Sequence, residues 1–114
     1  MSNIIVRVAD VRKLRTPDQR ATVIYVGRAF AGWKGHPLGN PFRPAAGYRP
    51  CLERYADWLA AHPQRAELFA AMRNEIAETG KPLGCWCVNW DGTGTPPMVC
   101  HAVVLAEAIK GERL

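Results

Sequence analysis

The sequence predicts a single α/β domain, residues 1–114, built on a short, mostly parallel sheet with helices packed against it. Three observations carry that expectation. The chain has 114 residues, enough for one real core and too few for two. Hydrophobic residues make up 48% of it and four Trp are among them, which separates it from disordered chains. Segment signals follow the order strand, strand, helix, helix, strand, helix, the pattern of an α/β unit.

Asn3 to Val8 is short and β-branched, a first strand. Between Arg7 and Arg20 stand Arg12, Lys13 and Arg15, around a Thr16-Pro17-Asp18 turn signal. Such a connection is either solvated surface or a phosphate-facing arm. Ala21 to Val26 is the clearest strand, near-continuously β-branched and aromatic, as a strand buried on both faces reads. It closes at Gly27-Arg28, where glycine lets backbone approach a ligand and arginine offers a planar fork for phosphate or carboxylate.

Ala31 to Pro44 has neither helical nor strand period and holds three glycines, three prolines, Trp33, Phe42, His36 and two further cations. Long loops in compact domains are usually functional, and this composition argues against disorder. The structural alternative has Trp33 and Phe42 plugging the core while Asn40-Pro41 makes a turn. A helix then opens at Pro50 and runs to about His62, with Leu52, Tyr55, Trp58 and Leu59 on one face. Pro63 stops it, and the next helix repeats Leu68, Phe69, Met72 and Ile76 at helical spacing. Gly80 reads as the residue that ends this helix, and Lys81-Pro82 as its exit. Cys51 stands apart from the other thiols and reads as a small packed hydrophobe.

Leu83 to Cys87 is the third strand, and Val88 to Val99 a loop of turn chemistry around Asp91-Gly92, Gly94 and Pro96-Pro97. Ala102 to Lys110 is the last helix, with Val104, Leu105, Ala108 and Ile109 as its apolar side and Gly111 closing it.

Three of the four cysteines and one of the three histidines fall within this strand–loop–helix unit. Strand geometry aims Cys85 and Cys87 at one face and Trp86 at the other. Cys100 and His101 sit where unpaired N–H groups and the helix dipole favour a thiolate or a bound anion. If the second and third strands are parallel and adjacent, this cluster, Gly27-Arg28 and the following loop share the carboxyl edge of the sheet, where ligands gather.

Three uses of the cluster stay open. As a metal site, Cys85, Cys87, Cys100 and His101 make a Cys₃His set suited to tetrahedral Zn²⁺, although Cys-x-Cys is less usual than Cys-x₂-Cys. As a reactive site, Cys100 is a nucleophile with His101 or His36 as its base. As neither, the cysteines are buried core residues.

The net charge of +5 favours phosphate-bearing partners. The N-terminal residues lack the order of a signal peptide, and no apolar run approaches the roughly 20 residues of a membrane span. A cytoplasmic protein without a membrane partner is expected, with reduced thiols available for metal or thiol chemistry.

Tyr25-Val26-Gly27-Arg28, Leu38-Gly39-Asn40-Pro41-Phe42, Tyr55-Ala56-Asp57-Trp58-Leu59, Leu83-Gly84-Cys85-Trp86-Cys87 and Cys100-His101, in that order, resemble the DUF4326 family. This is a domain of unknown function in bacteria and their phages, and the resemblance covers about Tyr25 to Ile109. It implies where a site lies and supplies no reaction. Two departures stand out. The family joins Cys-Trp-Cys to Cys-His by a short proline-bearing link, where this chain has the longer Val88 to Val99. The family also follows Cys-His with a small and an acidic residue, where this chain has Ala102-Val103, so the chain has either lost that acid or supplies it from Asp91 of the long loop.

The functional expectation is a domain that binds a phosphate-bearing ligand, a nucleotide or a nucleic-acid end. Gly27 and Arg28 meet phosphate, Trp33 stacks a base, Asn40 bonds a base or sugar edge, and His36 lies in the same loop. As an enzyme it is a nucleotide- or nucleoside-directed transferase or hydrolase with Cys100, His101 and Arg28 as catalytic residues. The alternatives are a zinc-stabilised module binding nucleic acid or protein, and a thiol or redox protein. No Walker A, G-x-S-x-G or H-E-x-x-H motif occurs.

Overall fold

The computed structural model describes residues 5–27, 29, 32–42, 48–86, 89–94, 97 and 100–111, the side chains of 48–50 and 111 aside. Among them the chain runs β1 (Val8–Asp10), α1 (Pro17–Arg20), β2 (Ile24–Tyr25), α2 (Tyr48–Ala60), α3 (Arg65–Thr79), β3 (Leu83–Cys85) and α4 (His101–Gly111). The sheet is parallel throughout with strand order β1-β3-β2, so the architecture is α/β.

β3 is the central strand. Leu83 is in register with Val8 on one side and Ile24 on the other, and Gly84 with Ala9 and Tyr25. Leu83 and Cys85 have no exposed surface, as expected of a parallel strand covered on both faces. Gly84 between them admits no side chain. A Cβ there would lie 2.8 Å from Val11 Cγ1 and 3.0 Å from Val23 Cγ2, two β-branched residues with little rotamer freedom.

The ladder is shorter than the β-branched runs suggest. Of Ala21 to Val26 only Ile24 and Tyr25 form β2, because β3 offers few residues to pair with. Ala21 and Thr22 finish the turn after α1, donating to the carbonyls of Pro17 and Gln19 at 3.0 and 3.1 Å. The first strand forms at Val8–Asp10 instead of Asn3 to Val8, since pairing with β3 sets its position and Val8 aligns with Leu83. Asn3 and Ile4 lie outside the described residues. Thr16-Pro17-Asp18 is more than a turn: it starts α1 with a capping box. Thr16 Oγ1 accepts from the Gln19 N–H and Gln19 Oε1 accepts from the Thr16 N–H, both at 3.1 Å, with Pro17 at the first helical position.

The outer edge of β1 is covered. Val8 and Trp90 exchange backbone hydrogen bonds of 2.8 Å, and the Asp10 N–H donates to Asn89 Oδ1 at 2.9 Å. Such cover removes an open template for strand pairing. The helices follow the expected apolar faces. Leu52, Tyr55 and Leu59 of α2 and Phe69, Met72 and Ile76 of α3 are buried, while Trp58 and Leu68 are half-buried. Gly80 ends α3 at φ 69°, its N–H donating to Ile76 O at 2.8 Å. α4 begins one residue before the expected start and is apolar around most of its circumference. Ala102, Val103, Leu105 and Ile109 are wholly buried, which makes α4 the element on which α2, α3 and the sheet converge. No helix among the described residues is long and apolar enough to cross a membrane.

Gly84→Ala is expected to destabilise the domain by about 1–3 kcal/mol, the usual cost of overpacking a core. Urea unfolding should show a lower midpoint at unchanged slope; an unchanged midpoint would contradict the packing described at β3.

Candidate functional site

Because the strands are parallel, the segments after β1, β2 and β3 all leave one edge of the sheet. α4 returns its N-terminus to that edge. Cys100 stands at the helix entrance, its carbonyl accepting from the Val103 N–H at 3.1 Å. His101 Nε2 lies 3.0 Å from the carbonyl oxygen of Val26. A carbonyl only accepts, so Nε2 carries the proton and donates. Val26 is itself tied to β3, donating its N–H to Gly84 O at 3.2 Å. The imidazole also meets the Tyr55 ring edge-on, with centroids 5.4 Å apart. His101 and the turn at Gly27 are thus neighbours.

The loop after β2 lies against Gly27. The His36 N–H donates to Gly27 O at 3.1 Å and the Gly39 N–H to His36 O at 2.9 Å. A Cβ on Gly39 would come within 3.0 Å of Gly27 O, so the close approach needs glycine. His36 Nδ1 accepts from the Leu38 N–H at 3.0 Å. Desolvation lowers the His36 pKa, which keeps that nitrogen free of a proton. Leu38 is wholly buried, and its carbonyl accepts from the Tyr55 hydroxyl at 2.5 Å. Burial pushes the Tyr55 hydroxyl well above its ordinary pKa, and the Cys100 thiol acts in the same sense.

Two expected ligand contacts are engaged within the protein. Asn40 is buried; its Oδ1 accepts from the Phe42 N–H at 2.9 Å and its Nδ2 donates to Cys51 Sγ at 3.4 Å. Through these contacts it shapes the loop. Cys51, expected only as a packed hydrophobe, is also a polar partner, donating to Phe42 O at 3.6 Å. Trp33 stacks on Tyr25 at 4.5 Å with planes 24° apart, and the Arg20 guanidinium lies 4.8 Å over its ring. Tyr25 Oη accepts from Trp86 Nε1 at 2.7 Å, and a Cβ on Gly27 would lie 2.5 Å from that oxygen. Burial raises the Tyr25 pKa against the effect of the Trp86 hydrogen bond.

Cys85 and Cys100 belong to the core at 0% and 2% exposure, and with Cys51 they are thiols outside any disulfide. Among the described residues no three His, Cys, Asp or Glu side chains are grouped to hold a metal ion. Cys87 of the expected zinc set and Arg28 lie outside the described residues. Asp91 does not replace the missing acid. It accepts from the Thr93 N–H and hydroxyl at 2.9 Å, and the adjoining Gly92 carbonyl meets Lys110 at the far end of α4. Lys110 lies roughly 13–14 Å along the helix from His101, given 1.5 Å per helical residue. Two depressions lie elsewhere: one of about 410 Å³ between α2, α3 and α4 around Leu59, Phe69 and Val104, and an open groove of about 560 Å³ beside Arg7, Pro82 and Trp90.

Tyr25, Trp86 and Tyr55 are the participants that sequence reasoning missed, whereas Arg20 stood at the end of the candidate phosphate-facing arm. Tyr55 carried a signal only as a core position of α2, and Trp86 only as the residue facing away from the cysteines.

Fold and site define a small α/β domain whose loops gather at the carboxyl edge of a parallel sheet, beside a histidine at a helix start. The chain belongs to the DUF4326 family, described as a domain of unknown function, which matches residues 9–111 and so takes in all but the first residue of β1, and α1 as well. No curated protein and no solved structure is detectably similar to it.

Tyr55→Phe leaves the Leu38 carbonyl buried without its donor and is expected to cost about 1–3 kcal/mol in urea unfolding; no loss would show that the hydroxyl does not hold the loop. His36 makes stability depend on pH. Its folded pKa lies below the ordinary 6.5, so below that pH the unfolded chain binds more protons and stability falls. The thermal midpoint should drop from about pH 7.5 to about pH 5.5, and His36→Asn, whose Oδ1 can accept from Leu38, should flatten the dependence. An equally steep dependence in the variant would clear His36 of the effect.

Proposed function

We propose that this domain binds a phosphate-bearing ligand, a nucleotide or a nucleic-acid end, at the carboxyl edge of its sheet. The observation that carries this is the 3.0 Å contact of His101 with Val26, which holds the start of α4 against the turn at Gly27. A helix start presents N–H groups and the positive end of its dipole to an anion. Gly27 borders the helix start, and Arg28, next in the chain, has a guanidinium able to pair with two phosphate oxygens. The net charge of +5 supports an anionic partner, and the stacked Tyr25 and Trp33 supply aromatic surface beside the turn.

Binding is better supported than turnover. A transferase or hydrolase would use Cys100, His101 and Arg28, yet Cys100 is 2% exposed and His101 Nε2 is engaged by Val26. A second reading, a zinc-stabilised module using Cys85, Cys87, Cys100 and His101, rests on the Cys₃His chemistry of that set. A cytoplasmic setting with reduced thiols belongs to the same proposal.

The test is ¹⁵N NMR titration with inorganic phosphate and with nucleoside 5′-monophosphates and diphosphates, alongside elemental analysis of protein purified without added metal. Saturable shifts at Gly27, His101 and Ala102 are expected, and Arg28→Ala should weaken binding by about tenfold or more, as loss of a charge-assisted hydrogen bond implies. Absence of shifts with every ligand, together with about one zinc per chain and unfolding on chelation, would favour the zinc module.

A further inference from the structure

We infer that the ligand is a polynucleotide strand rather than a free nucleotide, its backbone following the segment between β1 and β2. This deepens the phosphate-binding reading above and holds only with it.

Charge is distributed unevenly along the chain. Residues 10–42 contain six Lys or Arg and two acids, whereas residues 43–114 contain eight of each. Nearly all of the net +5 therefore lies in the segments that follow β1 and β2, which leave the sheet at its carboxyl edge. Arg12 is committed to Asp10, donating from Nε to Oδ2 at 2.7 Å, and this hydrogen bond holds the Asp10 carboxyl below its usual range. Lys13 and Arg15 are exposed and make no salt bridge among the described residues, although the Lys13 charge also acts on Asp10.

These cations are continuous with the aromatic surface. Arg20 Nε donates to Leu14 O at 3.3 Å while its guanidinium lies over Trp33. Trp33 stacks on Tyr25, one residue before the Val26 carbonyl that holds His101. Solvated cations, a cation–π contact and stacked rings thus form one strip leading to the helix start. A mononucleotide presents its phosphate at one point and has no use for such a strip. A strand repeats phosphate and base, and cations interleaved with aromatic rings are the usual surface for one.

The experiment is fluorescence anisotropy of the full chain with labelled twelve-nucleotide oligothymidylate and oligouridylate, with thymidine 5′-monophosphate and polyglutamate as competitors. The oligonucleotides should bind at least about tenfold tighter than the mononucleotide, with an affinity that falls as salt rises. The double variant Lys13→Glu/Arg15→Glu should lose about tenfold in oligonucleotide affinity and about 1.4 in the salt slope, from two phosphate contacts, with mononucleotide binding unchanged. Oligonucleotides no tighter than a bound mononucleotide, polyglutamate competing as well as either strand, or an unaffected double variant would overturn this inference alone. Binding of neither strand nor mononucleotide would overturn it together with the reading it extends.

Discussion

A single hydrogen bond between the last helix and the edge of the sheet, from His101 to Val26, organises this domain's carboxyl end. Val26 is wholly buried, and its carbonyl points past the end of the short ladder. Left without a donor, such a group costs about 1–3 kcal/mol. The imidazole removes that cost and sets where α4 begins. With α4 so placed, Cys100 faces the interior beside Tyr55, and the helix start adjoins Gly27. The same bond fixes the imidazole's chemistry, since Nε2 donates to backbone and only Nδ1 keeps a lone pair.

The stretch from Leu38 to Phe42, in the loop after β2, is held by polar contacts with α2, not by a period of its own. Irregular chain must find partners for its backbone groups once it is buried. Tyr55 supplies one to Leu38, and Asn40, anchored on Cys51, supplies another to Phe42. A tyrosine and a cysteine of the helical core therefore act as the template for the loop. Trp33 differs: its indole N–H is buried with no hydrogen-bond partner among the described residues. Its ring is nonetheless fixed by Tyr25 and Arg20, so the aromatic surface next to Gly27 is built before any ligand arrives.

Much of the helical framework is legible in the sequence. The faces of α2 and α3 follow the 3.6-residue period, and Gly80 ends α3 as its position suggests, because these are local properties. Strand limits are not local. Ala21 to Val26 has the composition of a six-residue strand, yet the partner strand decides that only Ile24 and Tyr25 pair. The neighbourhood of the site could be read from the grouping of cysteine and histidine at a strand end and a helix start. The partners of individual residues could not. His101 and Val26 are 75 residues apart, and Asn40 and Cys51 are 11 apart, with no pattern to announce either contact. Asn40 and Trp33 have the residue types that bind nucleotides, and their contacts with Phe42, Cys51 and Tyr25 are equally beyond what the pattern announces.

The protonation state and surroundings of the His101 ring report most directly on this account. Long-range ¹⁵N–¹H NMR of the imidazole at neutral pH should find Nε2 protonated, with ring protons showing nuclear Overhauser contacts to Val26, Gly27 and Tyr55. An unprotonated Nε2, or a ring without contact to Val26 and Gly27, would mean that α4 does not close on the end of β2 and that the common edge does not exist.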